Sequence, residues 1–260
     1  MSTISREVAG KVCVITINRP QVRNAIDRPT AQALLAALEA FEADDSLRVA
    51  VLTGSAGSFC AGADLAAVAQ DGERRNALQW PGEAPLGPSR LLLSKPLIAS
   101  IEGHAVAGGL ELALLADMRV AADDAVLGVF CRRFGVPLID GGSVRLPRLI
   151  GQSRALDLIL TGRPVLAGEA LHMGLVNRVV PQGEALTAAL ALAQQLADFP
   201  QACLLADRAS VYQQWELPLQ AALEAEFKGG LAVINSGESR AGAQRFTQGS
   251  GRHGRFGDKA

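Results

Sequence analysis

Val49-Ala50-Val51-Leu52-Thr53 runs into Ser58-Phe59-Cys60-Ala61-Gly62-Ala63-Asp64-Leu65, and Pro96-Leu97-Ile98-Ala99-Ser100-Ile101 runs into Gly103-His104-Ala105-Val106-Ala107-Gly108-Gly109-Leu110-Glu111. Both stretches state the same unit. An apolar run reads as a buried strand, a turn of small residues follows, and the chain then opens into a helix. Turns without bulky side chains let backbone N–H groups approach one atom of a ligand, and a helix N-terminus adds positive potential there. Two converging N–H donors make an oxyanion hole, which stabilises charge building on a carbonyl oxygen. Glu111 sits three residues past Gly108, so the pair of turns with a carboxylate points to enolate chemistry. Taken singly, each turn reads rather as a tight strand-to-helix connection that needs its glycines for geometry alone.

Around these units the pattern extends in both directions. Val12-Cys13-Val14-Ile15-Thr16-Ile17 reads as a strand ended by Asn18-Arg19-Pro20. Pro29 starts an amphipathic helix to about Ala43, with Leu34, Leu35, Leu38 and Phe41 on one stripe. Strand, helix and strand in that order predict a right-handed crossover and a largely parallel sheet, hence an α/β fold. Further on, a helix is expected from Gly108 to about Asp117, and strands at Met118 to Ala122 and Ala125 to Val129. Helical regions begin at Gly141 and run from Gln152 to Leu160, a last strand covers Leu175 to Val180, and everything after Glu184 is helical. Residues 66–90, polar and broken by Pro81 and Pro85, read as a mobile segment over the ligand site or else as a surface loop. The chain thus divides into a core, residues 1–195, and a helical part, residues 196–260, too small for a full core of its own.

Composition sets the bounds. Hydrophobic residues make up 49% and charged residues 20% of 260, a globular balance. A net charge of −1 argues against a nucleic-acid partner, which needs a clustered basic excess. Arg74-Arg75 and Arg132-Arg133 read as solvated faces, and Arg252-His253-Gly254-Arg255 as a phosphate contact or a polar tail. Cys13, Cys60, Cys131 and Cys203 show no metal or disulfide spacing, and Cys13 and Cys203 read as buried apolar fillers. His104, His172 and His253 form no ligand pattern, so no metal is expected. The N-terminus carries Arg6 and Glu7 without an apolar core, and no apolar run approaches the roughly 20 residues of a membrane span. No membrane partner and a cytoplasmic location are expected.

At its motifs the chain resembles the crotonase superfamily, the enoyl-CoA hydratase/isomerase group. The likeness begins at Ile17-Asn18-Arg19-Pro20 with Asn24-Ala25 and takes in both small-residue turns. It continues through Gly141-Gly142-Ser143 with Arg145-Leu146, Leu160-Thr161-Gly162, Ala167-Gly168-Glu169-Ala170 and Gly174-Leu175-Val176-Asn177. The resemblance implies a crotonase-type β-β-α spiral core and a C-terminal helical region that assembles a homotrimer or a hexamer of two trimers. It also implies an acyl-CoA thioester as substrate, with coenzyme A entering as part of it and no separate cofactor.

Carried onto this sequence, the resemblance makes the backbone N–H groups of Ala63 and Gly108 the oxyanion donors. It makes Glu111 one of the two hydratase glutamates. Read from its surroundings alone, Glu111 is either first-turn dipole compensation or an acid/base whose pKa the apolar helix raises. The second family glutamate is absent: Leu127-Gly128-Val129-Phe130 leads to Cys131. A thiol with an ordinary pKa of about 8.5, raised further by burial, substitutes poorly. Asp140, nine residues on, either faces the substrate or caps the helix beginning at Gly141. For the coenzyme A moiety the resemblance points to Arg23 as a phosphate contact, and to Ala61, Asp64 and Leu65 around the adenine pocket. Arg23 reads equally as a solvated loop residue, and Asp64 rather as a helix cap than as an acid. The leading expectation is a lyase of the enoyl-CoA hydratase type. A double-bond isomerase and an acyl-CoA-binding protein with little turnover stand as alternatives.

Overall fold

The computed structural model describes residues 2–70 and 72–251, so the Arg252–Arg255 stretch lies outside the described residues. The chain separates into two compact units, the first ending at Ala197 and the second beginning at Asp198. The first unit runs β1 (Ile4–Ala9), β2 (Val12–Ile17), α1 (Arg28–Glu42), β3 (Val49–Gly54), α2 (Leu65–Val68), β4 (Leu97–Ile101), β5 (His104–Val106), α3 (Gly108–Leu115), β6 (Met118–Ala122), β7 (Val126–Gly128), α4 (Gly142–Ile150), α5 (Gln152–Thr161), β8 (Val165–Leu166), α6 (Ala167–His172), β9 (Arg178–Val180) and α7 (Ala185–Asp198). The second is helical: α8 (Gln201–Gln213), α9 (Leu219–Asn235) and α10 (Glu238–Thr247).

Strands β1-β2-β3-β4-β6-β9 form a six-stranded sheet in that order. Every neighbouring pair is parallel except β1 with β2. The alternation of side chains along a strand explains how two layers form on one sheet. Along β3, Ala50 and Leu52 face a cluster with Leu34, Leu38 and Phe41 of α1, while Val49 and Val51 face the opposite way. There they meet Val12, Ile98 and Val120 from the neighbouring strands, covered by Ala189, Leu192, Ala193 and Ala197 of α7. Arg48 anchors the end of α7, its Nη1 donating to the Ala197 carbonyl at 2.6 Å. A second, three-stranded sheet has the order β5-β7-β8.

Three sequence expectations change here. Residues His104–Val106, read as part of a turn, form β5 and pair with β7, because the pairing with Val126–Gly128 overrides a local signal dominated by glycine. The last strand is only Arg178–Val180: the preceding backbone is held by Arg119, whose Nε donates to the Leu175 carbonyl at 2.8 Å and whose N–H donates to Asn177 Oδ1 at 2.8 Å. Cys203 is exposed on α8 instead of filling a core. The edge strand β1 was not visible in the sequence, since most of its side chains face solvent and break the apolar pattern.

Candidate active site

The first turn is built on a scaffold of motif residues. Asn24 is buried, and its Nδ2 donates to the carbonyls of Ser55 at 2.9 Å and Ser58 at 2.6 Å, while its Oδ1 accepts from the Arg19 N–H at 2.9 Å. Arg19 is buried as well and bridges Asp27 at 3.2 Å and Asp64 at 3.0 Å. Arg74 closes the square, 2.9 Å from Asp27 and 2.8 Å from Asp64. Arg74 is therefore a structural clamp and not simply a solvated face. Asp64 caps α2 by accepting the Ala66 N–H at 3.1 Å, and with two arginines on its carboxylate it serves the loop's architecture. Within the turn, the Gly62 N–H donates to Cys60 Sγ at 3.3 Å.

The two turns meet backbone to backbone. A methyl group on Gly62, at φ +93°, would lie 2.7 Å from the Gly108 nitrogen. One on Gly108 would lie 3.3 Å from Gly62 Cα and 3.5 Å from the Ala63 nitrogen. Only glycine allows this approach. It brings the backbone at Ala63 and Gly108 close together, and among the described residues neither N–H donates to a backbone acceptor. Ala107, preceding Gly108, takes φ 53° and ψ −126°, a conformation that costs alanine on the order of 1–3 kcal/mol. Its N–H donates to the Gly128 carbonyl at 2.8 Å, which helps hold the strained turn in place.

Glu111 projects from the first turn of α3, a helix whose eight residues are all buried. An all-apolar helix is a core element, so its single carboxylate is surrounded by groups that solvate it poorly. Glu111 Oε1 accepts the Asp140 N–H at 2.9 Å and the Gly142 N–H at 2.8 Å. Gly142 must be glycine for this, since a Cβ there would stand 2.9 Å from both Glu111 Cγ and Oε1. The other oxygen, Oε2, has no partner among the described residues and is not sealed from solvent. Burial pushes the Glu111 pKa from 4.5 to about 7; the neighbouring Asp140 carboxylate adds to the rise, and the two N–H bonds oppose it.

Asp140 is 4% exposed and does more than end a loop. Its Oδ1 accepts the Ser89 hydroxyl in a short bond and the Leu86 N–H at 3.1 Å. Among the described residues its side chain accepts from Leu86 and Ser89 and from no N–H group of α4, which speaks against the helix-cap alternative. Burial raises its pKa, against the Ser89 and Leu86 hydrogen bonds and the positive charges of Arg90 and Arg145. Arg145 binds the Asp140 carbonyl at 3.0 Å and the Ser89 carbonyl at 2.7 Å.

The segment expected to be mobile or superficial is thus partly a wall of the site. Ala84 through Ser89 are buried, and Leu86 Cδ1 lies 2.5 Å from where a Gly108 methyl would stand. Arg90 pins the preceding residues by donating to the carbonyls of Gln79, Gly82 and Glu83, with its guanidinium over the Trp80 ring at 4.6 Å. Ser89 and Leu86 were missed from the sequence: a lone serine in a proline-glycine stretch carries no local signal. Cys131 lies in a 3-10 turn, Phe130–Phe134, and is buried. Its thiol pKa is raised by burial and then by the Glu111 charge, so it stands in the same electrostatic neighbourhood. Arg23 is exposed; its carbonyl accepts the Ala61 N–H at 3.1 Å, which joins those two expected residues at one end of the turn, while Leu65 is exposed on α2. Among the described residues, no group of three or more His, Cys, Asp or Glu could hold a metal ion.

Known proteins share this arrangement of the chain. The family model described as enoyl-CoA hydratase/isomerase matches residues 7–253. Enoyl-CoA hydratase EchA19 of Mycobacterium tuberculosis is 35% identical over 253 residues, 93% of this chain and 92% of that protein. Carnitinyl-CoA dehydratase of Salmonella agona is 36% identical over 244 residues, 92% of this chain and 93% of that protein. The crystal structure of enoyl-CoA hydratase EchA1 from Mycobacterium marinum superposes with a TM-score of 0.88 at 34% identity, covering 95% of this chain and 96% of that one. The α/β crotonase-type architecture expected from the sequence is the architecture found. By its sequence over nearly the whole length and by its fold, the chain belongs to the enoyl-CoA hydratase/isomerase family.

Proposed function

We propose that the protein is a lyase of the enoyl-CoA hydratase type, adding water across the 2,3 double bond of an acyl-CoA thioester. The observation that carries this reading is the state of Glu111: buried, with one oxygen held by two N–H groups, the other open, and a pKa of about 7. A carboxylate balanced near neutrality suits proton transfer at working pH. The thioester oxygen accepts the N–H groups of Ala63 and Gly108. Glu111 Oε2 takes a proton from water as the water oxygen bonds to C3, and the double-bond electrons move to give the enolate. Asp140 delivers a proton to C2 as the enolate collapses, and exchange with solvent resets both carboxyls. Coenzyme A enters and leaves as part of the substrate, with Arg23 a candidate phosphate contact and Ala61 and Leu65 beside the nucleotide. A homotrimer or a hexamer is the proposed assembly.

The test uses crotonyl-CoA and a 3-enoyl-CoA with the purified protein. Hydration of crotonyl-CoA is expected, abolished in Glu111→Gln and lowered about 10²–10⁴-fold in Asp140→Asn. Migration of the 3-enoyl double bond without hydration would replace the lyase by an isomerase. Tight thioester binding with neither reaction would leave a binding protein.

A further inference from the structure

Between the wall segment and the catalytic carboxylate runs one unbroken set of hydrogen bonds. The Ser89 hydroxyl donates to Asp140 Oδ1, the Leu86 N–H donates to the same oxygen at 3.1 Å, and the Asp140 N–H donates to Glu111 Oε1 at 2.9 Å. Arg145 ties the Ser89 and Asp140 carbonyls together from behind, at 2.7 and 3.0 Å. Ser89 is 2% exposed, so its hydroxyl is directed inward and not toward bulk water. We propose that Ser89 is a positioning residue: with the Leu86 N–H it occupies Asp140 Oδ1, so that Oδ2 alone carries and delivers the proton. This deepens the lyase reading and rests on it.

The count of donors distinguishes the two oxygens. Two donors already face Oδ1, so a proton there would confront them, whereas Oδ2 has no partner among the described residues and is not sealed from solvent. Fixing which oxygen holds the proton also fixes the direction in which it leaves. Without the Ser89 hydroxyl, the Leu86 N–H alone restrains the carboxyl, and the group can rotate. The charged and titratable groups around it are Glu111 of α3, Arg145 of α4, Arg90 on the wall segment and, next to Glu111, Cys131. None of these is a hydrogen-bond donor to Oδ1, so none replaces Ser89 there.

The experiment has two readouts. In crotonyl-CoA hydration, Ser89→Ala should lower kcat roughly 10–100-fold, as misplacement of a reacting group does, with KM within about twofold. In an Asp140→Ala background the same change should cost nothing more, because the serine acts only through that carboxyl. Independently, the Asp140 carboxyl can be titrated by carbon-13 NMR, its resonance identified by its loss in Asp140→Asn. Ser89→Ala removes a donor to the charged form and should move that titration upward in pH. Ser89→Cys, nearly isosteric with a weaker donor, should fall between wild type and Ser89→Ala in both readouts, and stands in if the alanine variant does not fold. An unmoved titration, or a Ser89→Ala loss that persists in full in the Asp140→Ala background, would overturn the proposal. If wild type fails to hydrate crotonyl-CoA yet the titration moves, the positioning role stands and the lyase reading falls. If wild type hydrates and neither readout changes, the positioning role falls alone.

Discussion

Ionising Glu111 works against the fold. In the unfolded chain this carboxyl titrates near 4.5, and in the folded protein near 7, because burial penalises its charge. Between those values the folded protein holds a proton that the unfolded chain has released, so stability falls as pH rises through this window and levels off above it. The full shift corresponds to about 3 kcal/mol at most. Glu111→Gln keeps an oxygen for the Asp140 and Gly142 N–H groups and removes the charge. The variant should therefore be inactive yet more stable than wild type by about 1–3 kcal/mol above neutral pH, the gain vanishing towards pH 4.5. Thermal melts of both proteins across that range measure it, and a constant difference at all pH values would contradict it. The activity limb runs oppositely: kcat/KM should drop as pH falls through about 7, where the base becomes protonated. Glu111 was legible because it is the lone charge in Leu110-Glu111-Leu112-Ala113-Leu114-Leu115; Ser89 was not, because its role is created by contact with Asp140, 51 residues away.

At the scale of elements, α3 and the turn leading into it carry the second donor. Gly108→Ala retains the N–H but sets a methyl 2.5 Å from Leu86 Cδ1 and 3.5 Å from the Ala63 nitrogen. The leucine end can shift, so the protein should fold; the donor pair, however, is obstructed. A loss of roughly 10²–10³ in kcat is expected, comparable with deleting one oxyanion donor. Steady-state kinetics beside a circular dichroism melt separates this from unfolding, and full activity in the folded variant would refute the donor assignment. The strands of the main sheet were readable because each is a short apolar run whose alternate residues face two different layers. Strand β5 and the wall at Ala84–Ser89 were not, since glycine and proline mark them as turns while their burial depends on β7, Gly108 and Asp140.

For the whole molecule, the helical unit poses the question of assembly. On α9, Leu219, Leu223, Phe227, Leu231 and Ile234 are all exposed and recur every three or four residues, a continuous apolar stripe along one helix face. Val233, on the same helix, is buried. A stripe of this length exceeds the scattered apolar residues normal at a surface. Light scattering at micromolar concentration should give the mass of a trimer or hexamer, and Phe227→Glu with Leu231→Glu should shift it to smaller species. A monomeric wild type would exclude the assembly. Among the described residues, no helix is long and apolar enough to cross a membrane.

The backbone contact between Gly62 and Gly108 also limits how such a protein can change over generations. Any side chain at Gly62 meets main chain, which has nowhere to retreat, whereas Asp140 comes from a loop and Ser89 from the wall; Glu111 alone shares its helix with the Gly108 donor. Capture of a thioester oxygen thereby rests on main chain that tolerates no side chain at Gly62, while the proton-carrying Asp140 lies on a different stretch of chain. Substitutions at 140 or 89 are therefore expected to leave the first turn intact, whereas a side chain at Gly62 is not accommodated there.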